Sequence, residues 1–220
     1  MNKRGNRNGR VQRERAPLVW VFCEGAARGS GACGTEEWYL SECKSRGVSV
    51  KILPCGKSGS ALIEQAVTRL AHEKRKPDTV WLVFDKDNLG ARFDAALREA
   101  ETCGFRVAYS IECFEVWLLL HFLVPNESDE RDCAYRAQQL EQEIRRVSGN
   151  AQYTYDKTEN LFQKLYAGRV VDAIRNAQLL EQRYGVEIAQ GNRVPYTNVH
   201  VLIEDIRKGV VEGESARGSE

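Results

Sequence analysis

Short apolar segments followed by polar or glycine-containing stretches dominate the first half of the chain. These segments cover residues 18–23, 48–53, 80–84 and 105–110. The continuous runs at 18–23 and 80–84 are typical of strands that are buried on both faces, as in parallel sheets, and the alternation at 48–53 also indicates a strand. Helical patterns lie between them at 36–44, 61–74 and 91–103. The alternation of strands and helices predicts an α/β fold with a mostly parallel sheet flanked by helices.

Helical patterns prevail in the second half of the chain. An apolar segment at 111–122 has the length of a helix and precedes Pro125. Further helical patterns cover residues 132–147, 158–166, 170–184 and 197–207. We therefore predict an α/β core over 17–125, a helical C-terminal region over 126–208 and a flexible tail over 209–220.

The first residues of the chain are strongly basic. Residues 1–15 contain six lysines and arginines and the single acid Glu14, which gives a net charge of +5. With so few apolar side chains the segment cannot bury a core, so we predict a disordered tail over 1–16. Contact with nucleic-acid phosphates and simple solubility are both consistent with this tail.

Composition limits the classes of protein to consider. The net charge of the whole chain is +1, so no global basic field indicates nucleic acid. No apolar run has the length of a membrane span, and the N-terminus lacks the apolar region of a signal peptide. Seven cysteines without a C-x-x-C pair argue against a zinc cluster or a disulfide framework. We expect a cytoplasmic protein without membrane association.

Acidic residues follow two of the predicted strands. Glu24 comes directly after the first strand, and Asp85 and Asp87 follow the third. If these strands are parallel neighbours, the three carboxylates meet at the carboxyl edge of the sheet, where open α/β folds hold their sites. Oxygen ligands, with no cysteine expected nearby, favour Mg²⁺ or Mn²⁺ over Zn²⁺. The alternative is that Asp85 and Asp87 cap the following helix.

Glu115 is a further candidate for this site. It lies in the first turn of the apolar helix that the sequence predicts around 116–120. One interpretation is that its carboxylate faces the other acids and contributes to a second metal site. The other is that it lies in solvent and only interacts with the helix dipole. His121, at the end of the same helix, is expected to be a hydrogen-bonded structural residue.

Several motifs resemble those of known proteins. F-C-E-G at 22–25 and F-D-K-D at 84–87 resemble the signature of Toprim domains, which occur in topoisomerases, primases and overcoming-lysogenization-defect nucleases. Together with the basic start, the whole chain is more specifically similar to the RloB family. The motifs that carry this similarity are T-E-x-x-Y-L at 35–40, C-F-E-V-W-L-L-L-H-F at 113–122, Y-x-K at 155–157 and T-N-V-H-V-L at 197–202.

The resemblance implies a Toprim-like fold and a metal-dependent nuclease. It also implies a role in bacterial anti-phage defence, beside an ABC-type or OLD-like ATPase. The positions that match acidic or basic residues of the family motifs are Glu24, Glu36, Asp85, Asp87, Glu115 and Lys157. The loop at 26–34 is longer than the usual link between the first two acids, which leaves the place of Glu36 open.

Three functions remain open at this point. The first is a Mg²⁺- or Mn²⁺-dependent nuclease for RNA, including tRNA, or for DNA. Its catalytic metal ligands would be Asp85, Asp87 and Glu115, and Glu24 would be a further metal ligand or the general base. Lys157 would neutralise charge on the phosphate. The second is a non-catalytic subunit that binds nucleic acid or regulates a defence complex. A primase or another nucleotidyl transferase is the third.

Overall fold

The structure, a computed structural model, describes residues 15–25, 34–44, 47–86, 89–126, 132–185 and 194–215. Four strands form one all-parallel sheet in the order β2-β1-β3-β4. Their bounds are Leu18–Cys23 for β1, Ser49–Pro54 for β2, Thr79–Asp85 for β3 and Arg106–Ser110 for β4. The predicted α/β class is confirmed, and each strand end lies within one residue of its predicted position.

The strand order creates a switch point beside β1. The chain moves from β1 outward to β2 and then returns past β1 to form β3. Since crossovers between parallel strands are right-handed, this reversal puts helix α1 (Thr35–Glu42) and helix α2 (Gly59–Ala71) on opposite faces of the sheet. Ligand sites of open α/β sheets lie at such a point, at the carboxyl ends of the strands.

The remaining helices follow the predicted pattern with three exceptions, the first being that the segment 111–122 is α-helical only over Glu115–Leu119. Their bounds are Phe93–Thr102 for α3, Glu115–Leu119 for α4, Cys133–Ser148 for α5, Val170–Tyr184 for α6 and Val199–Ser215 for α7. The predicted helix at 158–166 is wrong in its first half, because only a π-helical turn at Phe162–Tyr166 forms there. Helix α7 continues past its predicted end at 207. No helix among the described residues has the length and apolar character to cross a bilayer.

The outer edge of β4 is covered by the segment that leads into α7. Thr197 forms an antiparallel bridge with Ser110. The side chain of Asn198 imitates a further strand, since its Oδ1 accepts a hydrogen bond from the Tyr109 amide at 2.6 Å and its Nδ2 donates to the Val107 carbonyl at 3.0 Å. These contacts satisfy backbone groups that an open edge strand would leave unpaired.

A buried aromatic cluster joins α1 to the C-terminal region. The ring of Tyr39 makes edge contacts with Phe114, Trp117, His121, Phe162 and Tyr166. Nδ1 of His121 lies 3.1 Å from the Trp117 carbonyl, and Nε2 accepts a hydrogen bond from the Tyr39 hydroxyl at 2.8 Å. Burial lowers the pKa of His121 to about 3, so its ring is neutral. His121 is therefore a structural residue, as expected.

A buried ion pair links α5 to the segment between β4 and α4. The side chains of Arg136 and Glu112 are 0% and 1% exposed, respectively. The guanidinium donates to both Glu112 carboxylate oxygens, and its Nη1 also donates to Gln139 Oε1 at 2.7 Å. Longer contacts reach the Asn126 carbonyl. The pair is thus desolvated but extensively hydrogen-bonded, which is the arrangement that a buried ion pair requires.

Candidate functional site

Glu24 and Asp85 lie side by side at the carboxyl edge of the sheet. Cys23 of β1 pairs with Val83 of β3, and Glu24 and Asp85 follow on their adjacent strands. The Glu24 amide donates to the Val83 carbonyl at 3.1 Å, and the Asp85 amide lies 3.4 Å from Glu24 Oε2. The structure therefore brings these two predicted site residues together at the switch point. Asp87, the third, lies outside the described residues.

Glu36 and Glu115 complete the group that we call the acidic cluster: Glu24, Glu36, Asp85 and Glu115. Glu36 is in the first turn of α1, and its Oε2 lies 3.7 Å from the position that a Cβ atom on Gly25 would take. Glu115 begins α4 and is 2% exposed. Its carboxylate interacts with those of Glu36 and Asp85, so the interpretation that places it in solvent is wrong.

The electrostatics of the acidic cluster disfavour a full set of negative charges. Burial, followed by repulsion from Glu115 and Glu24, raises the pKa of Glu36 to about 7. Burial, followed by repulsion from Glu36, Glu115 and Glu24, raises the pKa of Asp85 well above its ordinary value. Carboxylates that share a desolvated site cannot all ionise without a compensating cation.

Lys157 and Tyr155 contact the acidic cluster from the C-terminal region. Lys157 Nζ lies 2.8 Å from Glu115 Oε1, and the Tyr155 hydroxyl donates to the same oxygen at 3.1 Å. Burial acts to lower the pKa of Lys157, but the charge of Glu115 and the hydrogen bond to it, together with Cys113 and Cys133, raise the pKa above its ordinary value. The Lys157 side chain is 59% exposed, so a cationic group stands at the rim of the cluster.

The backbone of Lys157 is fixed on α1. Its carbonyl oxygen accepts hydrogen bonds from Thr35 Oγ1 and Trp38 Nε1, each at 3.1 Å. Both donors flank Glu36 in the first turn of α1. The Y-x-K motif and the T-E-x-x-Y-L motif, which are far apart in sequence, therefore hold each other in place. Sequence reasoning identified both motifs but not their contact.

The Asp85 carboxylate does not cap the helix that follows it. Its Oδ2 accepts a hydrogen bond from the Phe114 amide at 3.2 Å. Phe114 is the residue before α4, whereas the next helix along the chain, α3, begins at Phe93. The capping interpretation is therefore wrong for Asp85. Its carboxylate instead ties the end of β3 to the segment that carries Glu115.

Two thiols lie near the acidic cluster, contrary to expectation. A hydrogen bond with Cys133, followed by burial and by the charges of Glu115 and Asp85, raises the pKa of Cys113 well above its ordinary value. Cys133 begins α5, and its charge would also raise the pKa of Asp85. Cys113 is thus kept as a neutral thiol, which is a poor ligand for a hard cation. The sequence gives no signal for this proximity, because the packing of α5 creates it.

The donor chemistry of the cluster fits Mg²⁺ or Mn²⁺ better than a softer metal. Carboxylate oxygens are the ligands that these ions prefer, and a divalent cation would relieve the repulsion that raises the pKa values. Among the described residues, however, no set of three or more His, Cys, Asp or Glu side chains is arranged as a metal-binding group. Metal binding at this site remains a prediction.

We predict that the metal-free protein loses stability as pH rises from about 4.5 to about 7. Glu36 has an ordinary pKa of 4.5 and a pKa of about 7 in the folded protein, so the folded state binds more protons in this range. Linkage then lowers the free energy of unfolding by up to about 3 kcal/mol between these pH values, and the raised pKa of Asp85 acts in the same direction.

Urea denaturation at pH 5, 6, 7 and 8 in the presence of EDTA measures the slope of the free energy of unfolding against pH. Glu36→Gln should flatten it, whereas Glu101→Gln, which removes an exposed carboxylate at the end of α3, should leave it unchanged. An equal slope in Glu36→Gln and the native protein would contradict the assignment of the slope to Glu36.

The fold and the acidic cluster define a class of protein. It is an α/β protein whose adjacent parallel strands place carboxylates at the switch point of the sheet. The family model described as "RloB-like protein" matches residues 20–206. The chain belongs to the RloB-like family, which confirms the predicted similarity to the RloB family. Comparisons with curated proteins and with solved structures gave no match.

Proposed function

We propose that this protein is a Mg²⁺- or Mn²⁺-dependent nuclease that cleaves RNA, including tRNA, or DNA. The observation that carries the proposal is the placement of Glu24 and Asp85 at the ends of adjacent parallel strands, within one cluster of four carboxylates. Raised pKa values in that cluster are typical of functional sites. The resemblance of F-C-E-G and F-D-K-D to Toprim signatures supports the same chemistry.

The cation would be held by Glu24, Asp85 and Glu115. Asp87, two residues after Asp85, would be a further ligand. When bound, the cation would polarise the phosphate and lower the pKa of a water molecule. Glu36 belongs to the same cluster, and a bound cation would favour its ionised form, which can accept a proton from that water. Lys157 projects an exposed ammonium group from the rim and can neutralise charge on the phosphate.

The cellular role that we propose is that of an effector in anti-phage defence, acting with an ABC-type or OLD-like ATPase in the cytoplasm. Family membership and motif resemblance support this role. The basic segment 1–16, which lies largely outside the described residues, suits contact with nucleic-acid phosphates.

A cleavage assay on the purified protein tests the nuclease. We expect cleavage of tRNA, single-stranded RNA or DNA in Mg²⁺ or Mn²⁺, and none in EDTA. Glu24→Gln should lower the rate by at least about 10²-fold, since even indirect partners of a metal site contribute 10–100-fold. Glu101→Gln, an exposed control at the end of α3, should leave the rate unchanged.

The alternative is a non-catalytic subunit that binds nucleic acid or regulates a complex. One observation favours it: Lys157 already supplies a cation to Glu115 within the chain. If no substrate is cleaved with either metal, alone or with the partner ATPase, while nucleic acid still binds, the alternative replaces the nuclease.

A further inference from the structure

A cavity of about 530 Å³ lies between the sheet and α2, outside the acidic cluster. Its volume falls within the range of small-molecule sites. It is lined by Phe22, Lys51, Leu53, Pro54, Cys55, Gln65, Thr68, Arg69 and His72. Three of these residues, Gln65, Thr68 and Arg69, recur at helical spacing on α2, and His72 follows its last turn, so one face of that helix forms a wall of the cavity. The other residues come from β1, β2 and the turn after β2.

One side of the cavity is apolar. Phe22 of β1 and Leu53 of β2 are paired in register, so their side chains lie next to each other on the same face of the sheet. Pro54 extends this surface to the end of β2. Cys55 adds a neutral thiol, since burial raises its pKa to about 11 and its Sγ donates to the Leu53 carbonyl. This surface suits the face of a planar ring.

A polar group on α2 is buried here without a partner. Oε1 of Gln65 is inaccessible to solvent and accepts no hydrogen bond within the described part of the chain. A buried acceptor without a donor costs about 1–3 kcal/mol. Rotation of the amide toward the cavity would let a ligand N–H group satisfy it. Thr68, three residues further along α2, brings a hydroxyl group to the same wall.

Cationic side chains stand at another part of the cavity. Lys51 Nζ lies 4.0 Å from the centre of the Trp20 ring and 3.6 Å from Glu73 Oε1. Arg69 Nη2 lies 3.1 Å from the same carboxylate oxygen. Lys51 and Arg69 share the single carboxylate of Glu73, which leaves a net positive charge. His72 adds a further nitrogen donor. This part of the cavity suits a phosphate group.

The cavity also reaches the sheet edge that carries the acidic cluster. The Cβ atom of Pro54 lies 3.9 Å from the position of a Cβ on Gly25, the residue after Glu24. The Gly56 amide donates to the Gly25 carbonyl at 2.8 Å. A molecule in the cavity would therefore lie close to the acidic cluster, with the backbone of Gly25 between them.

We propose that this cavity binds a nucleoside phosphate. The nucleobase lies against Leu53 and Pro54 and donates an N–H group to Gln65, and the phosphate lies near Lys51 and Arg69. The ligand is either a free nucleotide or one nucleotide of a strand. The proposal does not depend on nuclease activity, because it rests on residues outside the acidic cluster.

Calorimetric titration of the full chain with AMP in EDTA tests the proposal, with ribose 5-phosphate and inorganic phosphate as ligands that lack the base. We expect AMP to bind at least tenfold more tightly than ribose 5-phosphate. Lys51→Met and Arg69→Gln should each weaken AMP about tenfold, which corresponds to one charge-assisted hydrogen bond. Gln65→Leu should weaken AMP similarly but leave ribose 5-phosphate unaffected.

Glu73→Gln provides a test in the opposite direction. It removes the carboxylate that competes for Lys51 and Arg69, so AMP should bind several-fold more tightly. Arg175→Gln is the matched control for Arg69→Gln, because Arg175 is also an exposed helical arginine paired with an acid, Asp172. This control should bind AMP as the native protein does.

A 10-nucleotide single-stranded oligoadenylate separates the two sources of the ligand. Binding much tighter than AMP and sensitive to Gln65→Leu assigns the cavity to a strand, and equal or weaker binding assigns it to a free nucleotide. Three results would overturn the proposal: no AMP binding, equal binding of AMP and ribose 5-phosphate, or the same loss in Arg175→Gln as in Arg69→Gln.

Discussion

Replacing Asp85 with asparagine is expected to abolish metal-dependent cleavage and at the same time to stabilise the metal-free protein. Asp85 is a candidate metal ligand whose pKa is raised by burial and by Glu36, Glu115 and Glu24. Asparagine keeps the shape and an oxygen for the Phe114 amide but carries no charge. The loss of repulsion should add roughly 1–2 kcal/mol, or about 2–8 °C in melting temperature for a chain of this size.

The response to metal gives this prediction a second measurement. Mg²⁺ or Mn²⁺ at a concentration 100-fold above its Kd should stabilise the native protein by about 2.7 kcal/mol, and Asp85→Asn should lose most of that shift. Asp94→Asn, which removes an exposed carboxylate in the first turn of α3, should retain both cleavage and shift. The acidic cluster would be excluded as the metal site if neither metal changed the melting temperature of the native protein and Asp85→Asn cleaved at the full rate.

Among the substitutions considered for this protein, Arg136→Met should cause the largest loss in the free energy of unfolding. It leaves the Glu112 carboxylate buried without its guanidinium, and breaking such a pair costs about 3–5 kcal/mol. Urea denaturation measures the loss. Because Glu112 lies two residues before Phe114, which binds Asp85, activity should fall together with stability.

A double variant and a surface pair serve as controls. Glu112→Leu combined with Arg136→Met should recover most of the loss, because no uncompensated charge stays buried. Arg146→Met on the same helix breaks an exposed pair with Glu143 and should cost less than about 1 kcal/mol. A loss of under 1 kcal/mol in Arg136→Met would contradict the importance of the buried pair.

The strands were predictable from local signals. Continuous apolar runs marked β1 and β3, and alternation marked β2. The prediction that β1 and β3 are parallel neighbours, on which the meeting of their acids depends, is confirmed. Glu24 and Asp85 could therefore be placed from sequence. The contacts of Lys157 with α1 and of Cys133 with Cys113 could not, since they depend on how the C-terminal helices pack.

Local patterns also failed where tertiary contacts decide the conformation. The segment 158–166 has helical composition, but the Lys157 carbonyl is engaged by Thr35 and Trp38 and cannot join a helix ladder. Asn198 directly precedes α7, where an asparagine commonly caps a helix, yet its side chain pairs with the backbone of β4. In both cases a partner about 90 or more residues away outweighs the local preference.

The cover over the edge of β4 has a consequence for how the chain folds during synthesis. Residues 197 and 198, which pair with Ser110, Tyr109 and Val107, emerge from the ribosome about 90 residues after β4. At roughly 5–20 residues per second, the edge of a nascent sheet stays open for about 5–20 s. Uncovered strand edges template aggregation, so a chaperone that shields nascent strands should raise the soluble yield. Translation stalled before residue 197 should leave the sheet prone to associate with other nascent chains.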